Sequence, residues 1–195
     1  MDQDSILQKF GADYVVDEDT YKMGVHHILA DKIAKRFSSH KFCLDTCLGA
    51  GFMTIAIAKC VDKVIGVDID PLHLDQAKQN AKTASVEDKV EFFEGDVLEV
   101  IDKIGEFDSA FLDPDWAKVG EGKENHVLEL SQMMPRADFL LDKVFEKTKN
   151  VCLRLPKEFD LNKLENLPPH ESESIYQDGK LKFYCIYFGD LSAEY

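Results

Sequence analysis

This chain has no long hydrophobic run, few basic residues for its size, a single tryptophan and no C-x-x-C pair. Each absence removes a class of protein. The longest mainly apolar stretch, Phe52 to Ala58, stops at Lys59 and is far too short to cross a bilayer, so no membrane segment is expected. Met1-Asp2-Gln3-Asp4 carries neither the basic nor the apolar region of a secretory signal, which points to a cytoplasmic protein. The five cysteines, at 43, 47, 60, 152 and 185, form no C-x-x-C pair. Cys43, Cys152 and Cys185 sit in apolar runs, where cysteine acts as a small buried hydrophobe, so neither zinc nor a disulfide framework is expected. His26 and His27 are adjacent, and neighbours on a helix point apart, so they suggest no metal site. Basic charge is scarce: 23 Lys and Arg face 37 Asp and Glu, for a net charge of −14. Proteins that grip a nucleic-acid backbone need a basic stripe, and none is visible. A long duplex would be repelled, so any nucleic-acid substrate is expected to be a terminus or a single nucleotide. No apolar surface stripe identifies an oligomeric state.

What is present is a pattern of strands and helices in alternation. With 195 residues and 45% hydrophobic composition, the chain can bury a substantial core. Residues 1–40 read as an acidic, polar lead-in segment to Lys22 followed by a helix from Val25 to Phe37. Residues 41–195 read as one domain. Strands are expected at Lys41–Leu44, Lys63–Val67, Val90–Phe93, Phe107–Leu112 and Asn150–Leu155. Helices are expected at Phe52–Cys60, from Pro71 through Ala81, from Asp96 to Ile104, and at Ala137–Lys147. A polar loop runs from Lys118 to about Asn125. Pro168-Pro169 marks a turn, and Glu173–Gln177 with Leu181–Phe188 reads as a closing hairpin around Asp178-Gly179. Such alternation predicts an α/β sheet covered by helices on both faces, with ligands outside the carboxyl ends of the strands.

Each of the first four strands ends in an acid: Asp45, Asp68, Asp96 and Asp113. These acids could merely cap the helices that follow. Beside the first lies Asp45-x-x-x-Gly49-x-Gly51, a glycine turn that lets backbone approach a cofactor closely. Gly49-Ala50-Gly51-Phe52-Met53-Thr54 lacks the third glycine of a nicotinamide fingerprint. An adenosine linked to an amino acid, with no phosphate, suits it better. Asp68 is placed to accept the ribose hydroxyls, and Asp96 to accept from the adenine amine. That donor set fits S-adenosylmethionine.

The ordered series Asp45-x-x-x-Gly49-x-Gly51, Val67-Asp68-Ile69-Asp70, Gly95-Asp96 and Asp113-Pro114-Asp115-Trp116 resembles the class I S-adenosylmethionine-dependent methyltransferases. The resemblance implies a Rossmann-like seven-stranded sheet ending in an antiparallel hairpin. Within that class, enzymes acting on exocyclic amines carry an acid or amide, two prolines and an aromatic after the fourth strand. Here Asp113, Pro114 and Trp116 are kept. Asp113 and the Pro114 carbonyl would hold the amine protons while Trp116 stacks on the base, so catalysis would be mostly positioning. Leu153-Arg154-Leu155-Pro156-Lys157 and Ile186-Tyr187-Phe188-Gly189-Asp190-Leu191 resemble closing segments of the trimethylguanosine synthase family, which methylates guanine N2 of RNA caps. The resemblance implies an N-methyltransferase acting on guanine N2 of a cap or a related purine nucleotide. Asp115 replaces the family's second proline, and Ala117-Lys118 replaces a glycine pair. Asp115 beside Trp116 would favour a cationic 7-methylguanine, or would be a solvated loop acid. Lys157 and Arg154 would contact phosphate, or would join surface ion pairs. Two other readings keep parts of this picture: methylation of a protein or small-molecule amine, and a non-catalytic partner that only binds the cofactor.

Overall fold

The computed structural model describes residues 2–117 and 126–193. Seven strands form one mixed sheet in the order β3-β2-β1-β4-β5-β7-β6. They are β1 (Phe42–Asp45), β2 (Lys63–Asp68), β3 (Val90–Glu94), β4 (Ser109–Leu112), β5 (Val151–Pro156), β6 (His170–Gln177) and β7 (Lys180–Phe188). The helices are α1 (Gln3–Phe10), α2 (Glu18–Met23), α3 (His27–Ala34), α4 (Phe52–Ala58), α5 (Pro71–Thr83), α6 (Val97–Val100) and α7 (Ala137–Phe145). The fold expected from the alternating pattern is the one observed. Strand and helix limits move by at most four residues, the largest shift being α6, which ends at Val100 rather than Ile104. The expected polar loop from Lys118 to Asn125 lies outside the described residues.

The chain divides into two compact units, residues 1–108 and 109–195. In the first, β1 and β3 flank β2 in parallel, with Leu44 opposite Ile65 and Gly66 opposite Phe92. The middle strand is apolar on both faces because both are covered, and Val64 and Val67 are fully buried. Helix α4 follows the glycine turn and is buried throughout. Helix α5 starts on Asp70, whose carboxylate accepts the Leu72 N–H at 2.9 Å, with Pro71 in the first turn where no N–H is needed.

The acidic lead-in is not simply an irregular segment. It contains two helices, and both start on aspartate caps. Asp2 accepts from Ser5, and Asp17 forms a reciprocal capping box with Thr20. Helix α1 buries only Ile6 and Phe10, an i, i+4 pair. Phe10 lies flat on Phe52 of α4, with centroids 3.8 Å apart and planes 5° from parallel, and Tyr14 leans on the same ring. Burial on α4 stabilises a helix this short, because eight residues are marginal alone in water. The His26–His27 expectation is corrected too. The helix begins at His27, His26 is its extended N-cap, and the two rings stack with centroids 4.9 Å apart.

In the second unit β4 runs parallel to β5, while β7 is antiparallel to β5 and pairs with β6. The expected hairpin is present. Asp178 and Gly179 have φ of 51° and 72°, the positive pair that a two-residue turn of this hand requires. β6 is an outer strand carrying Glu171 and Glu173, with a bulge between Ile175 and Tyr176. Among the described residues no helix is long and apolar enough to cross a membrane. No group of three His, Cys, Asp or Glu side chains gathers there as a metal site.

Candidate active site

In the first unit the glycine turn is tied down from three sides. Leu48 N–H donates to the Val67 carbonyl at 3.0 Å, which holds the turn against the end of β2. Gly49 N–H donates to Asp68 Oδ2 at 2.8 Å. Asn80, fully buried in α5, donates to the Ala50 carbonyl at 2.9 Å. Gly49 and Gly51 have φ of 54° and 85°, which a side chain would strain. Their surroundings differ. A Cβ at Gly49 would meet nothing within 4 Å, so that backbone faces open space. A Cβ at Gly51 would come within 3.0 Å of the Ala77 Cβ, so Gly51 permits close packing on α5.

The strand-end acids take different parts. Asp45 is 1% exposed and accepts the Thr54 hydroxyl at 2.6 Å, joining β1 to α4 beneath the glycine turn. Asp68 gathers donors: Gly49 N–H at Oδ2, and Asp70 N–H at 2.9 Å and His73 Nδ1 at 3.3 Å at Oδ1. The bond to Asp68 raises the His73 pKa against a burial penalty, with Asp70 and Asp17 adding attraction. Gly95 N–H donates to the Asp68 carbonyl at 2.9 Å, which sets the end of β3 beside it. Asp96 caps α6 through Leu98 N–H at 2.9 Å. Capping thus accounts for Asp96 alone among the four acids. Asp68 ends β2, and Asp96 follows the end of the adjacent β3 by two residues.

Three residues that the sequence reading passed over organise this unit. Asn80 also brackets Val15, donating to its carbonyl at 2.9 Å and accepting its N–H at 2.7 Å. Gln76 donates to Asp17 Oδ2 at 3.0 Å and its own oxygen accepts the Thr20 hydroxyl. His73, Gln76 and Asn80 stand on successive turns of α5; Gln76 and Asn80 bond the lead-in segment, while His73 bonds Asp68 and Asn80 also bonds the glycine turn. The available signal was Asn80 itself, a polar residue set among Ala77, Ala81 and Leu74 on the buried stripe.

The second unit carries the amine motif. Asp113 leaves the end of β4 beside β5, where Leu112 pairs with Leu153. Its Oδ2 accepts from Arg154 Nη1 at 2.6 Å, and the two side chains are 18% and 11% exposed. Burial pushes the Asp113 carboxyl above its ordinary range, and the Arg154 charge only partly offsets it. The Arg154 guanidinium lies 4.7 Å from the Trp116 ring centroid and 4.5 Å from that of Phe183. Arg154 faces Cys185 across the strands, so Phe183 is its diagonal neighbour. The surface ion pair expected for Arg154 is instead a mostly buried one, with the guanidinium against two rings.

Asp115 is exposed, and its N–H donates to the Met134 carbonyl at 2.7 Å. A proline there would lack that donor, which gives a physical reason for the departure from two prolines. Its carboxylate accepts the Ala117 N–H at 2.8 Å, so part of its charge serves the turn. Trp116 is half-buried, and the His126 ring stands perpendicular to it at 6.2 Å between centroids. His126 Nδ1 lies 3.0 Å from Glu158 Oε2. Burial would raise the Glu158 pKa, but the His126 bond and its other contacts outweigh this and lower it. Lys157 is half-exposed and pairs loosely with Glu158 at 3.7 Å.

The fold and the glycine turn define a class I methyltransferase, the class whose cofactor is S-adenosylmethionine. Residues 40–191 match the family model described as RNA cap guanine-N2 methyltransferase, and the chain belongs to that family. A protein named as an N5-glutamine methyltransferase from Methanocaldococcus jannaschii is 35% identical over 86 residues, which is 44% of this chain and 42% of that protein. Among solved structures, a methyltransferase from Porphyromonas gingivalis W83 superposes with a TM-score of 0.75 at 14% identity. That superposition covers 93% of this chain and 44% of the other. The O-methyltransferase from Bacillus cereus in complex with SAH gives 0.63 at 13% identity, covering 85% and 82%. These structural likenesses concern the fold. The chain thus spans under half the length of the first relative in each comparison.

Proposed function

We propose that this protein methylates an exocyclic amine of a purine nucleotide, with guanine N2 at an RNA end as the preferred acceptor. The observation that carries the reading is the Asp113-Pro114-x-Trp116 arrangement in a chain of the cap guanine-N2 family. S-adenosylmethionine, when bound, supplies an electrophilic methyl group. Asp68 is offered as the ribose acceptor, Asp96 as the acceptor for the adenine amine, and Gly49 and Gly51 as the backbone approach, with Asp45 holding the turn. On the acceptor side, Asp113 Oδ1 remains to take one amine proton while Oδ2 is held by Arg154. The Pro114 carbonyl takes the second. Two such acceptors turn the delocalised lone pair toward the methyl donor, an orientation effect that needs no strong base. Trp116 is the stacking surface. Asp115 and Lys157 are assigned to the acceptor's surroundings. The net charge of −14 supports a short, terminal acceptor over a long duplex.

A second reading, methylation of a protein or small-molecule amine, is supported by the similarity to the N5-glutamine methyltransferase. One experiment separates the two. Purified protein is incubated with radiolabelled S-adenosylmethionine and, in parallel, a 7-methylguanosine cap analogue, guanosine nucleotides and bulk protein. Label in the nucleotide fractions, lost with Asp113→Ala, is expected. Label confined to protein would overturn the purine reading.

A further inference from the structure

Arg154 is more enclosed than either of its expected roles requires. Its position on β5 places the guanidinium between Trp116 and Phe183, at 4.7 and 4.5 Å from the ring centroids, with Nη1 2.6 Å from Asp113 Oδ2. Three consequences follow from that geometry. The planar cation covers one face of Trp116. It fixes the Asp113 carboxylate so that one oxygen is occupied and the other is available. It also opposes the tendency of burial to protonate Asp113. We propose that Arg154 is the positioning residue of the acceptor side, clamping Asp113 and Trp116 in one unit so that a planar acceptor stacks only on the face of Trp116 that Arg154 leaves open. The proposal rests on the amine-acceptor reading of Asp113 and Trp116. A lysine cannot reproduce this arrangement, because an ammonium has no plane to lay against two rings.

Trp116 is the only tryptophan, so its fluorescence reports this cluster alone. The test uses the full chain as wild type, Arg154→Met, Arg154→Lys, Asp113→Asn and the Asp113→Asn/Arg154→Met double variant. Acrylamide quenching of Trp116 is measured first, without nucleotide. Quenching is expected to rise in both Arg154 variants, since either removes the plane from the ring. Guanosine monophosphate is then titrated. Arg154→Met is expected to weaken binding about tenfold through loss of an ordered stacking face. Asp113→Asn is expected to weaken it in the wild type but to add almost nothing in the Arg154→Met background, because the two residues act as one unit. Arg154→Lys, which keeps the charge, is expected to recover part of the nucleotide affinity without recovering the quenching protection. Wild-type quenching in both Arg154 variants would overturn the clamp, as would independent, multiplying effects of Asp113→Asn and Arg154→Met. If Arg154→Met fails to fold, Arg154→Lys decides the quenching arm alone. A wild-type protein that ignores guanosine monophosphate, yet shows Arg154-dependent quenching, would remove the purine reading and leave the clamp in place.

Discussion

Asn80 offers the most exacting test of how the cofactor end is held. Its side chain is fully buried and makes three hydrogen bonds, to the Ala50 carbonyl and to both backbone groups of Val15. Replacing it with alanine strands those three partners. Ala50 is 2% exposed, so its carbonyl loses a bond that water cannot easily replace, at a cost of about 1–3 kcal/mol. Val15 is 43% exposed, and its groups can turn to solvent, so each of those bonds contributes nearer ~0.5–1 kcal/mol. Asn80→Ala should therefore cost about 3 kcal/mol, which for a chain of this size lowers Tm by roughly 6–12 °C. Asn80→Asp should be worse, because a carboxylate oxygen would replace the amide nitrogen that now faces two carbonyl oxygens at 2.9 Å. Thermal unfolding by circular dichroism gives the stability order. Calorimetry with S-adenosylhomocysteine gives the second readout, and affinity should fall with the loosened turn in both variants. If Asn80→Asp proves more stable than Asn80→Ala, or if either binds S-adenosylhomocysteine like the wild type, the account of Asn80 as anchor of the glycine turn is refuted.

Three further outcomes follow from the same unit. Gly49→Ala and Gly51→Ala should part company: each pays about 1–2 kcal/mol for a side chain at positive φ, but only Gly51→Ala also clashes with Ala77. Denaturant titration should show Gly51→Ala as the less stable, while calorimetry should show that Gly49→Ala, whose methyl enters the open space, loses S-adenosylhomocysteine binding with the smaller stability cost. The His73–Asp68 contact predicts a pH dependence. Because the folded-state pKa of His73 is raised, chiefly by its bond to Asp68, the pair's stabilisation is complete below the ordinary histidine value of 6.5 and is lost as pH rises through the folded value. His73→Gln should flatten that part of the stability profile above pH 6.5, and an unchanged profile would contradict the assignment. Asp17→Ala removes the capping box of α2 and the bond from Gln76, and should cost about 1–2 kcal/mol by urea unfolding.

The strands were legible because buried parallel strands leave apolar runs that little else in a chain of this composition imitates. The acids at their ends were legible for the same reason, since each run stops at one. The lead-in helices were not: α1 buries only Ile6 and Phe10, and Phe10 finds its partner in Phe52, more than forty residues away. Their aspartate caps were visible in the sequence but were taken as general acidity. Asn80 and Gln76 failed differently. A polar residue on a helix normally faces water, and the fold-back of Val15 and Asp17 supplies both with partners that spacing does not reveal. Arg154 shows the same limit in a strand. Spacing places it next to Leu153 and Leu155 but says nothing of the two rings that enclose it, because Phe183 arrives from a strand paired in the opposite direction.

The two outermost strands of the sheet, β3 and β6, have a consequence for how the molecule behaves among its own copies. An unpaired strand edge is a template onto which another chain can add. β6 meets that hazard with Glu171, Glu173 and a bulge that twists its rim, and β3 with exposed Glu91 and Glu94. Any second copy approaching edge to edge would bring glutamates against glutamates. Acidity placed on the two rims therefore also serves as colloidal protection, keeping the sheet from growing by accretion.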